Sequence, residues 1–327
     1  MCTIFYLVIN WLSLLESSKE KRDNIVPYAL LCVGGVFAVS LKLTAGFILI
    51  LVIKPAYMLM REKRWKEIAL YISMGIVVIT PWIVRTVLIS GYLLYPFPTL
   101  DLFDVDWKIP AAAAILDAAE IKTWGRAIYD ASKVGMPIHE WFPNWFTTTL
   151  SGTEKLLILA DIGALLMLVV IAVWQIGRKK WRELDFLLVM AAVAASYIFW
   201  QISAPLMRYG YSHVLLLVVL TVGYLMNRFT LQRKRIAQMC YVLVILVGIA
   251  KMIPLCTYAV SVGNQPFYVT QKDYGSYENA SYEINGVNFY YPLEGDRIGY
   301  EAFPSSTTRV EIEFRGESIR EGFNKKE

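Results

Sequence analysis

Leu156 to Gly177 reads LLILADIGALLMLVVIAVWQIG and is followed at once by Arg178-Lys179-Lys180-Trp181-Arg182. The apolar run carries a single charge, Asp161, and is about as long as the roughly 20 residues a bilayer crossing needs. It has no polar stripe at helical spacing, so a soluble protein would have to bury it on every side. Leu184–Ser203, Tyr211–Met226 and Tyr241–Cys256 repeat the pattern. Hydrophobic residues make up 57% of the chain and charged residues only 18%, a balance that suits a membrane protein and not a soluble domain.

Charge then orders the crossings. Basic residues collect in the connections Glu16–Asn24, Arg61–Lys66, Arg178–Arg182 and Arg228–Arg235, while one of the turns between them holds Lys42 alone and another Arg208 alone. The positive-inside rule makes the basic connections cytoplasmic. The reading is an all-α polytopic bundle of about eight transmembrane helices, near 1–15, 26–40, 44–60, 67–91, 156–177, 184–203, 211–227 and 238–256. The bundle takes in residues 1–256, with an extracytoplasmic loop at 92–155, and a small extracytoplasmic β-rich tail occupies 257–327. The protein is thereby expected in the inner, cytoplasmic membrane as a multi-pass protein surrounded by membrane lipid. The net charge of +5 sits in short loops and not on a soluble face, which excludes nucleic acid as a partner. The four cysteines, Cys2, Cys32, Cys240 and Cys256, lie in or beside apolar runs without metal-ligand spacing. No basic segment precedes the first apolar run, which argues against a cleaved signal peptide. That run is short, and it begins at Met1.

Inside the long loop, Ala111 to Lys133 reads as a helix with Ile115, Ile121, Trp124 and Ile128 apolar and Lys122, Arg126 and Lys133 basic, the pattern of a helix lying at the membrane interface. Trp141, Phe142, Trp145 and Phe146 form an aromatic cluster suited to headgroup depth, either as an anchor or as a lip over a lipid substrate. In the tail, Asn285-Gly286 between β-formers predicts a type I′ hairpin over Tyr282–Phe289. Arg309–Phe314 alternates polar and apolar as a half-buried strand does, so the tail is expected to hold three or four strands.

Ionisable residues at membrane depth are functional candidates because they are costly there. Arg85, Asp161, Arg208 and His213 fall toward the outer ends of their helices, and Lys42 and Lys251 belong to the same level. They serve either as snorkelling anchors or as a shared pocket for an anionic lipid headgroup. Asp101, Asp104 and Asp106 lie within one short stretch that ends in Lys108. They fit an ordinary capped turn, a divalent-cation site, or a general base on a hydroxyl; no metal or other cofactor is otherwise signalled. His139-Glu140 is a second acid/base candidate. There is no Gly-rich phosphate loop, metalloprotease helix motif or nucleophile elbow.

The short helices around Leu41-Lys42-Leu43-Thr44-Ala45 resemble a part of the bacterial GT-C type sugar transferases that use polyprenyl-phosphate sugars. Ile89–Pro96 followed by Val105-Asp106-Trp107-Lys108-Ile109-Pro110 looks more specifically like the LIC_10190 family of polytopic membrane proteins. So do Ala204-Pro205, Arg208-Tyr209-Gly210-Tyr211, Phe314-Arg315-Gly316 and Glu321-Gly322-Phe323. Gly299 and Ser305 stand where that family places a cysteine pair. GT-C enzymes keep a catalytic Asp or Glu in the loop after the first helix, and no such loop is found here; the chain resembles an N-terminally short, C-terminal portion.

The resemblance implies a GT-C-like bundle that transfers a sugar from a polyprenyl-phosphate donor to an envelope glycan acceptor. Arg208, Arg85 and Lys108, with His213, would bind the lipid phosphate, and Asp106 or Asp104 would act as acid or base. A polysaccharide polymerase or ligase, a carrier of lipid-linked glycan, and a non-catalytic membrane scaffold are the alternatives. A transporter would call for repeated halves, and none is seen.

Overall fold

The computed structural model describes residues 2–17, 24–177, 184–229, 277–295, 297–299 and 302–325, with scattered positions from 235 to 257. It divides into two compact units, Met1–Phe103 with Ile109–Thr230, and Asp104–Lys108 with Leu231–Glu327.

In the first unit α1 (Cys2–Ser17) places Ile4, Leu7, Val8 and Trp11 on one face, and all four are buried. This i, i+3, i+4, i+7 stripe packs the helix onto its neighbours, with the Trp11 ring edge-on to Tyr28 at 4.9 Å. The first helix is therefore an integral part of the core despite its length. Asn24 caps α2 (Ile25–Leu41) by accepting a hydrogen bond from Val26 N–H at 3.2 Å. At Lys42 the backbone is extended, and the chain then winds as a 3-10 helix over Leu43–Val52 before relaxing into α3 (Ile53–Arg61). After α4 (Trp65–Ser90) the long connection holds α5 (Ala111–Gly125) and α6 (Ile138–Thr148). Three long helices follow, α7 (Gly152–Gly177), α8 (Leu184–Ser203) and α9 (Met207–Phe229).

Among the described residues five helical segments are long and apolar enough to cross a membrane: Leu43–Arg61, Trp65–Ser90, Gly152–Gly177, Asp185–Ser203 and Met207–Arg228. The chain is a multi-pass membrane protein. Cys2–Glu16 and Ile25–Leu41 are apolar but shorter. The expected helix at 238–256 falls largely outside the described residues, as does Lys251.

Helix α8 is the centre of the unit. Val189, Met190, Val193, Tyr197 and Trp200 are buried, and the helix packs against the 3-10 run, α7 and α9. Half of its apolar window is buried within the chain, against 6% for α4, which among the described residues packs chiefly along α2 and α3.

Two expectations for the long connection need correcting. The helix predicted over Ala111–Lys133 stops at Gly125, because Gly125 lies against the Ala204 backbone and the chain then turns with positive φ at Ala127 and Tyr129. Arg126, assigned to a polar helix face, is instead buried. The aromatic cluster is split likewise: Trp141 and Trp145 are core residues, not headgroup anchors.

In the second unit β1 (Asn279–Ile284) and β2 (Val287–Pro292) form the predicted hairpin. Asn285 and Gly286 both have positive φ, as a type I′ turn requires. The strand expected over 309–314 is confined to β3 (Ile312–Phe314), which pairs antiparallel with β4 (Phe323–Lys325). The four described strands make two separate two-stranded sheets, joined through the rings of Phe289, Phe314 and Phe323.

Candidate functional site

The site is built around the break between α8 and α9. Pro205 interrupts the helical ladder, leaving Ala204-Pro205-Leu206 as a turn whose carbonyls need partners. Trp145 Nε1 donates to Pro205 O at 3.0 Å, and Trp200 Nε1 donates to Leu206 O at 3.1 Å. Arg126 donates to the Ile202 and Val134 carbonyls at 2.5 and 3.2 Å while lying 4.8 Å from the Trp141 ring. Burial lowers its pKa from the ordinary value, as expected for a cation held by carbonyls alone. Glycine is required at two contacts. A Cβ on Gly210 would come 2.2 Å from the Trp200 ring, and one on Gly125 would come 2.6 Å from Ala204 Cα. The loop helices thus clamp the start of α9 and fix where Arg208 begins.

At that start Arg208 lies 4.7 Å from the Tyr209 ring, and Lys42 Nζ lies 2.9 Å from the centroid of the same ring. The two cations share one aromatic side chain and feel each other's charge. Burial, then Arg208, pushes the Lys42 ammonium down to about 8. No carboxylate among the described residues pairs with either. His213, a turn and a half further along α9, is 1% exposed, is an electrostatic neighbour of Lys42, and has neither ring nitrogen hydrogen-bonded. Glu154 accepts from the Tyr211 hydroxyl at 2.7 Å and from Ser151 N–H at 2.8 Å, which puts a carboxylate beside the first turns of α9.

Beneath α6 a groove of about 550 Å³ runs between α7 and α8, lined by Phe142, Ile162, Leu165, Tyr197, Ile198 and Gln201 among others. Its walls are apolar, but both polar atoms of the Gln201 amide are buried without a hydrogen-bond partner. Asp161, an electrostatic neighbour of Tyr197, is fully buried with both carboxylate oxygens unpartnered.

The remaining sequence candidates stand elsewhere. Arg85 is exposed on α4, a helix that packs against α2 and α3. Asp104, Asp106 and Lys108 belong to the second unit, whereas Asp101 belongs to the first. Asp106 receives the Arg315 guanidinium at 2.5 Å, and Arg315 also lies 5.2 Å from the Trp107 ring. Arg315 donates further to Phe323 O and Asn324 Oδ1, so Phe314-Arg315-Gly316 and Val105-Asp106-Trp107-Lys108 form one clasp. Gly316 leaves room there for the Glu321 side chain, which caps the turn with Ser318. His139 and Glu140 are exposed neighbours at 3.7 Å. Among the described residues no three His, Cys, Asp or Glu side chains gather as metal ligands would.

The sequence pointed to Arg208, His213 and Lys42 through their shared depth, and the structure brings these three together. It gave Arg126 and Trp145 only an interfacial role, and it did not point to Trp200, Gln201 or Glu154. Their roles depend on which carbonyl or hydroxyl each meets across the fold, and no local spacing carries that. Only Pro205 signalled that a turn needing partners would exist. No curated protein and no solved structure matches the chain. The model of one family, described as a domain of unknown function (DUF8201), matches residues 1–216, well over half of the sequence, and the chain belongs to that family.

Proposed function

We propose that this protein is a GT-C-like membrane glycosyltransferase, or the C-terminal portion of one, that takes a sugar from a polyprenyl-phosphate donor for envelope glycan assembly. The observation that carries the reading is the pair of cations, Lys42 and Arg208, gathered on Tyr209 with no carboxylate partner among the described residues, near the buried imidazole of His213. Uncompensated cations at the end of an apolar bundle suit a lipid phosphate, which they would hold and whose leaving charge they would stabilise. The groove beside α8 would take the hydrocarbon chain. In this reading the end of the bundle carrying the 91–151 connection faces outward from the cytoplasmic membrane, and Arg85 supplies a further phosphate contact.

Transfer breaks the bond from the sugar's anomeric carbon to the phosphate oxygen and forms one to an acceptor hydroxyl, whose proton must pass to a base. Glu154 joins the candidates for that role because Tyr211 holds it beside α9. Asp106 is the weaker choice, since Arg315 already occupies it. The test is glycan transfer in cells carrying Arg208→Ala. A fall of about a hundredfold, the usual worth of one group stabilising a developing anion, is expected. Unchanged transfer at normal expression overturns the assignment. A polymerase or ligase acting on the same lipid phosphate would use the same cations, and the chemical product of the transfer distinguishes it.

A further inference from the structure

The segment between Lys42 and Lys54 is wound in an uncommon way. Runs of 3-10 helix beyond three or four residues are rare, yet Leu43–Val52 is 3-10 over 10 residues inside a membrane-length span. The winding has a visible consequence. Ala45, Ile48, Leu51 and Lys54 are buried at a strict spacing of three, facing the neighbours α2 and α8. An α-helix turns about 100° per residue, so the same four positions would drift about 60° at each step and Ala45 would end opposite Lys54.

The sequence also permits the other winding. With Lys54 fixed, α geometry brings Leu43, Phe47 and Ile50 onto the face that Ala45, Ile48 and Leu51 now occupy, and all three are apolar. A Cβ added at Gly46 would meet nothing, so a residue that favours α winding fits there without a clash. The two ends are held unequally. Lys54 is pinned by Asp185 at 2.6 Å and lies 4.7 Å from the Tyr28 ring, whereas Lys42 rests on Tyr209 with no carboxylate among the described residues.

We propose that Leu43–Val52 is a two-state spring that interconverts between 3-10 and α winding, and that its 3-10 form is what delivers Lys42 to Tyr209 and Arg208. The rise falls from about 2.0 to about 1.5 Å per residue on conversion, so the run shortens by about 5 Å and withdraws Lys42 from the cation cluster toward the pinned Lys54. An anionic phosphate at the cluster favours the extended form, because only there does Lys42 reach it. This last coupling rests on the reading of the cluster as a phosphate site; the winding itself does not.

Spin labels at Leu41→Cys and Ile53→Cys, both exposed, in a chain with Cys2, Cys32, Cys240 and Cys256 replaced, measure the length of the run by pulsed electron resonance in nanodiscs. Two distances about 5 Å apart are expected. Gly46→Ala, which favours α winding, should raise the shorter one, and phosphatidylglycerol should raise the longer one relative to neutral lipid. A single distance that Gly46→Ala does not move overturns the spring. A response to Gly46→Ala without one to phosphatidylglycerol upholds the spring and overturns the phosphate reading of the cluster.

Discussion

Lys42 and Lys54 stand at opposite ends of one segment and meet opposite fates. Lys54 is buried but compensated, its ammonium bound to Asp185 at the start of α8 and lying near the Tyr28 ring. Lys42 is only partly buried, yet among the described residues no carboxylate compensates it, and it is crowded by Arg208. A paired lysine inside an apolar bundle holds helices in place, because separating it from its partner strands a charge. An unpaired lysine beside a second cation works against the fold, and retaining it makes sense when something outside the chain completes the charge. The α3 end of the segment is thus built for stability, and the α9 end carries the charge that the proposed phosphate would complete.

The largest effect should come from removing what supports the ligand end without touching its charges. Trp145 is completely buried, packs edge-on to Trp200 at 6.3 Å and donates to the Pro205 carbonyl. Trp145→Ala should cost about 4 kcal/mol through lost contacts and the cavity left behind. The measurement is denaturation by SDS, and a loss below about 1 kcal/mol would mean that the turn at 204–206 stands without its clamp.

Removing the partner of the compensated lysine comes next. Asp185→Leu leaves Lys54 buried and alone; because the Asp185 side chain is 42% exposed and water already relieves part of the pair, the expected loss is about 2 kcal/mol instead of the larger value for a sealed pair. Lys54→Met with Asp185→Leu should recover to within about 1 kcal/mol of the parent in the same titration. A double variant no better than the single one would show that Lys54 contributes through its contacts and not through its charge.

How much of this was legible in the sequence varied with distance along the chain. The long helices followed from apolar runs such as Leu156–Gly177, and the Asn285-Gly286 hairpin followed from two adjacent residues. Basic connections at alternate ends correctly predicted that Lys42 and Arg208 share an end. The structure bears this out, since both meet Tyr209 while Lys54 and Asp185 meet at the other end. What stayed hidden was set by contacts remote in sequence. Nothing local in Lys122–Lys133 shows that Gly125 must abut Ala204 and end the helix, or that Arg126 must feed the Ile202 carbonyl. The 3-10 winding was hidden for another reason: Leu43–Val52 is apolar at nearly every position, so its pattern fits several periods and selects none. Asp106 looked free for chemistry because its partner, Arg315, lies in the tail.

The smallest effect is the most discriminating, because it sets stability and binding in opposition. The Lys42 ammonium falls from an ordinary 10.5 to about 8 in the folded chain, through burial first and Arg208 second. Between those values the unfolded chain binds more protons than the folded one, so stability should rise modestly as pH increases across that window. Anion binding should move the other way. As pH rises through about 8, Lys42 loses its charge while Arg208 keeps its own, and affinity for short-chain phosphatidylglycerol should fall about tenfold, the worth of one charge-assisted hydrogen bond. The phosphodiester probe keeps its single negative charge throughout, and His213, whose ordinary pKa lies below this range, contributes no change of its own. Calorimetric titration at pH 7 and pH 9.5 makes the measurement, and Lys42→Arg, which stays protonated, should abolish the difference. Equal affinity at both pH values in the parent would remove Lys42 from the site and leave Arg208 to hold the phosphate alone.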